Sequence, residues 1–223
     1  MIDLDTLALR LFEIGAVKID TGKGFTLKLH ETNPTAPLSP IYLNLRTPEN
    51  PKQGPLTPEL VREIGILLWR KSTYLEPSFD AIAGLPNAGT PLANAMKRAA
   101  YDGGLFVPAI SLGKSETASG RRIEGIVDDE GASKGAIVLV IDDLITRGDS
   151  KNEGIEALRK AGYIVNDVLV LVDREQGGAE DLKKLGVKLH SVITLDSILT
   201  KLHHHNKISE RQLEMILRYL GRK

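Results

Sequence analysis

Cysteine is absent from the 223 residues, which excludes disulfides, a thiolate nucleophile and cysteine-ligated zinc. Net charge is absent too. The 29 Lys and Arg residues balance 29 Asp and Glu, so no global basic field exists for coating a nucleic acid. No apolar run approaches the ~20 residues that a membrane helix needs. The opening MIDLDTLALRLFEIGAVKID starts acidic and is broken by Glu13, unlike a secretory leader. Nucleotide-binding glycine patterns are missing as well. Gly113-Lys114-Ser115 ends like a P-loop, but Pro108 stands where that pattern requires glycine, and no GxGxxG follows an apolar run. These absences predict a soluble cytoplasmic globular protein with no membrane or nucleic-acid partner. Its length suits a single domain over residues 1–223, large enough to bury roughly 70% of its unfolded surface without a staple.

What is present is a rhythm. Leu4, Leu7, Leu11 and Ile14 fall at helical spacing and stop at Gly15. FTLKLH and PIYLNLR alternate like short strands. Seven of the 11 prolines lie between Pro34 and Pro58, which keeps most of that stretch out of helix interiors. Thr57 then reads as an N-cap with Pro58 in the first turn. Beyond it, DAIAGL, LFVPAISL, AIVLVIDD, VLVLVDRE and LHSVITL alternate with amphipathic stretches, LFVPAISL alone leading into a polar loop. Two helical segments end the chain, separated near Asn206. Strands apolar on both faces, alternating with such helices, predict an α/β fold: a central parallel sheet flanked by helices. The first ~50 residues would form a small hood on it.

Residues 136–150, AIVLVIDDLITRGDS, carry the chemistry. A buried strand delivers two adjacent carboxylates, Asp142 and Asp143, to its carboxyl end, where open α/β sheets bind ligands. A turn of small and polar residues then enters a helix, whose first amides and positive dipole end suit a phosphate. Paired carboxylates beside it suit sugar hydroxyls.

That segment resembles the phosphoribosyl-pyrophosphate (PRPP) signature of the type I phosphoribosyltransferases, and other segments narrow the resemblance to the orotate phosphoribosyltransferases. Ser39-Pro40-Ile41-Tyr42-Leu43 is similar to their pyrimidine-contacting segment. Gly84-Leu85-Pro86, followed by Gly89 and Pro91-Leu92-Ala93, is similar to their pyrophosphate turn. Val172-Asp173-Arg174-Glu175-Gln176-Gly177-Gly178 resembles their orotate-binding arginine motif. The resemblance implies the type I phosphoribosyltransferase fold and a glycosyl transfer in pyrimidine nucleotide synthesis. PRPP and orotate would give orotidine 5′-monophosphate and pyrophosphate, with Mg2+ bound mainly through PRPP and no protein metal site of its own.

The same resemblance distributes roles. PRPP would meet Lys28, the turn residues Asn87 and Ala88, and the run Asp142, Asp143, Leu144, Ile145, Thr146, Arg147, Gly148, Asp149 and Ser150. Orotate would meet Tyr42, Leu43, Thr146 and Arg174. The guanidinium of Arg174 offers a fixed fork of donors to a planar anion. A mobile loop that crosses a dimer interface would cover the site, making the chain a homodimer or a hetero-oligomer with a homologue.

Residues 113–120 depart from that loop's pattern. Lys114 matches a basic position, but Thr117 stands for the expected lysine and Ser119 for the expected His or Tyr. Lys114, Arg121 and Arg122 are left as the candidate catalytic cations. Two readings stay open: a transferase that turns over slowly alone, and a degenerate paralogue that keeps the PRPP or nucleotide pocket as a regulatory or partner subunit. The run His203-His204-His205 is read as ordinary helix surface, since consecutive helical side chains diverge.

Overall fold

The computed structural model describes residues 2–20, 22–27, 29–75, 78–117, 120–147 and 149–222. Helix α1 (Leu4–Glu13) starts at Asp3, whose carboxylate accepts the Thr6 amide at 2.7 Å, and buries Leu7, Ala8 and Leu11. Strands β1 (Val17–Ile19) and β2 (Ile41–Leu43) pair antiparallel, with the short helix α2 (Leu29–Thr32) between them. FTLKLH does not make the strand its alternation predicts. Phe25 bridges to Ser39, and the chain then turns. The Leu27 amide donates to His30 Nδ1 and the His30 amide to the Leu27 carbonyl, both at 2.9 Å. A local side-chain acceptor wins over strand pairing there. Helix α3 (Pro58–Ser72) begins as expected, with Thr57 as N-cap and Pro58 in its first turn.

The main sheet holds β3 (Ala81–Gly84), β4 (Ala109–Thr117), β5 (Gly120–Asp128), β6 (Ile137–Ile145), β7 (Ile164–Asp173) and β8 (Lys188–Thr194). Their spatial order is β5-β4-β3-β6-β7-β8, parallel throughout except for the edge strand β5. The connections carry α4 (Gly89–Asp102), α5 (Asp149–Lys160) and α6 (Gly178–Lys184). Helices α7 (Leu195–His204) and α8 (Glu210–Tyr219) follow β8.

Alternation within the fully buried strands sorts their side chains into two apolar layers. Ile82, Leu139, Ile141 and Leu169 pack with Leu60, Ile64 and Leu68 of α3, and with Leu7, Leu11, Val17 and Ile41 of the hood. Ala83, Val140, Val168 and Val170 face the other way, onto Ile155 and Leu158 of α5 and Leu182 of α6. The hood thus shares one layer of the sheet's core. No described helix is long and apolar enough to cross a membrane.

Two more sequence expectations need correction. The stretch after LFVPAISL is not a polar loop but a hairpin, β4 pairing with β5 from Ser111↔Asp128 to Thr117↔Gly120. Backbone pairing sustains it despite the polar composition, with register shifts at Ser111/Leu112 and Gly113/Lys114 absorbing its irregularity. Strand β6 also runs on past the two aspartates to Ile145, rather than ending at them.

Candidate functional site

The site lies where β3, β6 and β7 end. Gly89 begins α4 so close to β6 that a Cβ there would meet the Ile141 carbonyl oxygen at 2.4 Å and Asp142 Oδ1 at 3.0 Å. Only glycine allows this approach. The first turn of α4 has no side-chain cap, Ala88 being its N-cap residue; the Gly89 amide donates instead to the Leu85 carbonyl at 2.8 Å, which ties the helix start to the end of β3. Asn87 and Ala88 precede it in the turn that leaves β3.

Asp142 and Asp143 are 6% and 8% exposed. Asp142 Oδ1 accepts the Asp143 amide at 2.9 Å, and Asp143 Oδ1 accepts the Leu144 amide at 2.8 Å. The second oxygen of Asp142 pairs with Lys151 Nζ at 2.7 Å. Lys151 is itself 5% exposed and also donates to the Leu144 carbonyl at 2.6 Å. Burial, then the neighbouring Asp142 charge, pushes the Asp143 carboxyl up to about 7, against a smaller downward pull from Lys151. The acidic pair therefore carries its own buried counter-ion. Sequence reading missed Lys151, because a lysine nine residues beyond an aspartate signals no pairing until the turn folds it back.

Leu144, Ile145, Thr146 and Arg147 lead from the acidic pair into α5, with Asp149 and Ser150 in its first turn. Ile145 is fully buried and lies against Gly178, so it offers the site backbone rather than side chain. Arg147 reaches across to the next loop. A Cβ on Gly177, where φ is +97, would meet its Nη1 at 2.7 Å. Lys28, Gly148 and Ser119 lie outside the described residues.

Arg174 follows β7 directly beside this turn, its amide donating to the Ile145 carbonyl at 3.0 Å. Its side chain is 7% exposed, and its buried Nε has no hydrogen-bond partner among the described residues; neither has Gln176 Oε1 on the same turn. Burial lowers the Arg174 guanidinium from its usual value, with Tyr219 acting the other way. A buried donor left without an acceptor is costly, and an anion bound beside Arg174 would complete it.

Of the three hood residues expected at the site, Tyr42 and Leu43 are described and Lys28 is not. Tyr42 is half-buried with its ring 5.8 Å from that of Phe25. Leu43, on the opposite face of β2, is buried in the core, so its side chain is not presented to a ligand. On the hairpin, Lys114 Nζ donates to the Pro86 carbonyl at 3.1 Å, bringing it to the turn after β3. Lys114 pairs in register with Ile123, and Arg121 with Glu116. Arg122, one residue from Ile123, falls on the other face of the hairpin. Arg122 therefore does not share the face that carries Lys114.

Among the described residues no three His, Cys, Asp or Glu side chains converge to hold a metal. Asp142 already satisfies Lys151 and an amide. Such a donor set fits a hard cation that arrives with oxygen ligands of its own.

Residues 56–198 match the phosphoribosyl transferase domain family. Orotate phosphoribosyltransferase of Cenarchaeum symbiosum is 32% identical over 171 residues, covering 74% of this chain and 76% of that protein. Uridine 5′-monophosphate synthase of Bos taurus is 31% identical over 185 residues, 82% of this chain, which spans only 35% of that longer protein. The crystal structure of orotate phosphoribosyltransferase from Aeropyrum pernix superposes with a TM-score of 0.63 at 28% identity, covering 88% of this chain and 97% of that one. The acidic pair, the phosphate turn and the arginine turn all fall within the matched span, and the chain belongs to the phosphoribosyl transferase family, among its orotate phosphoribosyltransferases.

Proposed function

We propose that this chain transfers the phosphoribosyl group of PRPP to orotate. A bond forms between C1 of the ribose and a ring nitrogen of orotate, and the bond from C1 to the diphosphate oxygen breaks. Its electron pair leaves with pyrophosphate, and the ring nitrogen gives up its proton. The observation that carries this reading is the adjacency of Arg174 and the phosphate turn: the Arg174 amide bonds the residue that precedes Thr146. Base and sugar phosphate would sit side by side at the ends of neighbouring strands.

The amides from Thr146 to Ser150, at the start of α5, hold the 5′-phosphate, and the Thr146 hydroxyl adds a bond on the side shared with the base. Asp142 and Asp143 accept the ribose hydroxyls. The turn at Asn87 and Ala88 receives the diphosphate, with Lys114 over it. Arg174 binds the anionic edge of orotate, with Tyr42 approaching from the hood. Mg2+ arriving with PRPP would supply charge neutralisation on the leaving group. Catalysis here consists of holding three anionic groups apart and in line while positive charge develops at the sugar. Arg122 has no evident place in that arrangement.

The active species is a homodimer in the cytoplasm, where its soluble substrates are found. Orotate consumption with PRPP and Mg2+ tests the reaction, and light scattering at assay concentration tests the dimer. Asp142→Asn/Asp143→Asn should abolish PRPP binding by calorimetry in a folded protein. Failure of the wild type to consume orotate would refute the assignment.

A further inference from the structure

Arg174 is fixed in front by its amide bond to β6. It is also fixed from behind, by a residue 48 positions further on. Arg222 Nη2 donates to the backbone carbonyls of Arg174 and Glu175 at 3.1 and 3.3 Å. Its Nη1 lies 3.3 Å from Glu175 Oε2 and 3.3 Å from Asp196 Oδ1. One guanidinium thus joins two carbonyls and two carboxylates, a use to which its planar fork is suited.

The turn it grips is unusual. Glu175 has φ +54, a left-handed conformation that non-glycine residues adopt at a cost and that surrounding structure must enforce. Three further contacts enforce it. The Glu175 amide donates to Asp173 Oδ1 at 2.7 Å, the Asp196 amide in the first turn of α7 donates to Glu175 Oε2 at 3.2 Å, and Gly177 accommodates the Arg147 guanidinium. Arg222 closes this set by tying both carbonyls to both acids. The side chain so positioned is the buried Arg174, whose Nε has no partner among the described residues to orient it.

We infer that Arg222 is a positioning residue for base recognition, holding the Arg174–Glu175 turn so that the Arg174 guanidinium faces orotate. This inference rests on the transferase reading above. An orientation fault at a recognition residue should fall on the base and spare the sugar phosphate, which is held by a different loop.

The test is steady-state kinetics on Arg222→Ala, Arg222→Lys and Glu175→Gln, with thermal midpoints recorded in parallel. Arg222→Ala should raise KM for orotate roughly tenfold, leaving KM for PRPP within about twofold. Arg222→Lys should restore part of the loss, since a point charge can still reach one carbonyl and one acid. Glu175→Gln should shift the same constant in the same direction, and combining it with Arg222→Ala should add little. An unchanged orotate KM in Arg222→Ala would overturn the inference. So would an equal rise for both substrates, or fully additive effects of the two changes, either of which would make Arg222 an anchor for the chain after α8. If Arg222→Ala does not fold, Glu175→Gln decides alone by the same selectivity. A wild type that neither binds nor consumes orotate would bring down the transferase reading and this inference together.

Discussion

The ammonium of Lys151 lies 2.7 Å from the carboxylate of Asp142, and both side chains are almost wholly buried. The same ammonium reaches the Leu144 carbonyl, so the turn that leaves β6 is tied to the helix that follows it. Buried pairs contribute little relative to apolar residues of the same shape, yet breaking one strands a charge. Lys151→Met should therefore destabilise the protein by about 3–5 kcal/mol. Asp142→Asn in the same background should recover part of that loss, because it removes the stranded charge. Urea unfolding of the two single variants and the double variant checks this. Strictly additive losses would mean that the two side chains are not coupled.

The second aspartate supplies a pH dependence. The Asp143 carboxyl is raised from 3.8 to about 7 by burial and by Asp142. A group whose folded pKa exceeds its unfolded value binds its proton more tightly in the folded state. Its contribution to stability is fully present below about pH 4 and is lost as pH rises through about 7. Binding of ribose hydroxyls runs the other way, since the ionised carboxylate is the better acceptor. Urea midpoints should thus fall between pH 5 and 8 in the wild type, and PRPP affinity should rise over the same interval. Asp143→Asn should flatten the stability change and remove this component of the binding change. Identical pH profiles for wild type and variant would contradict the raised pKa.

Selectivity is expected at Arg174. Its side chain is buried and its Nε has no partner among the described residues, so an orotate carboxylate would complete it. Arg174→Ala should cost about 1.5–3 kcal/mol of orotate binding, or roughly ten- to a hundredfold, with PRPP affinity nearly intact. Calorimetry with each ligand separately decides the matter. Equal losses for both would make Arg174 a structural residue.

Much of this architecture is legible in the sequence because local signals agree with the fold. Thr57-Pro58 starts a helix, AIVLVIDD makes a strand buried on both faces, and the chain breaks near Asn206, which has φ +55. The acidic pair and Arg174 are legible too, since each follows an unmistakable apolar run. The missed features depend on tertiary partners. β1 is three residues long and exists through pairing with β2. The hairpin β4–β5 is held by backbone ladders between strands too polar to show alternation. Lys151 and Arg222 look like solvated cations until the fold brings Asp142 to one and the Arg174 carbonyl to the other. Burial with a distant partner leaves no periodic trace.

The hairpin frames the last prediction. Lys114 reaches the turn after β3 in its own chain, through the Pro86 carbonyl, where the proposed diphosphate would lie. Negative charge grows on that group as the bond to C1 breaks, so a cation above it acts on the transition state more than on the ground state. Lys114→Ala should then lower kcat by about a hundredfold or more while PRPP affinity falls far less. Thr117 and Ser119, the latter outside the described residues, bring no charge of their own. Thr117→Lys should accordingly raise kcat in the wild-type background, and raise it further when Ser119→His is added. Steady-state kinetics paired with direct PRPP titration separates the two effects. A Lys114→Ala enzyme with unchanged kcat, or a Thr117→Lys enzyme that gains affinity without turnover, would show that the hairpin takes no part in bond cleavage.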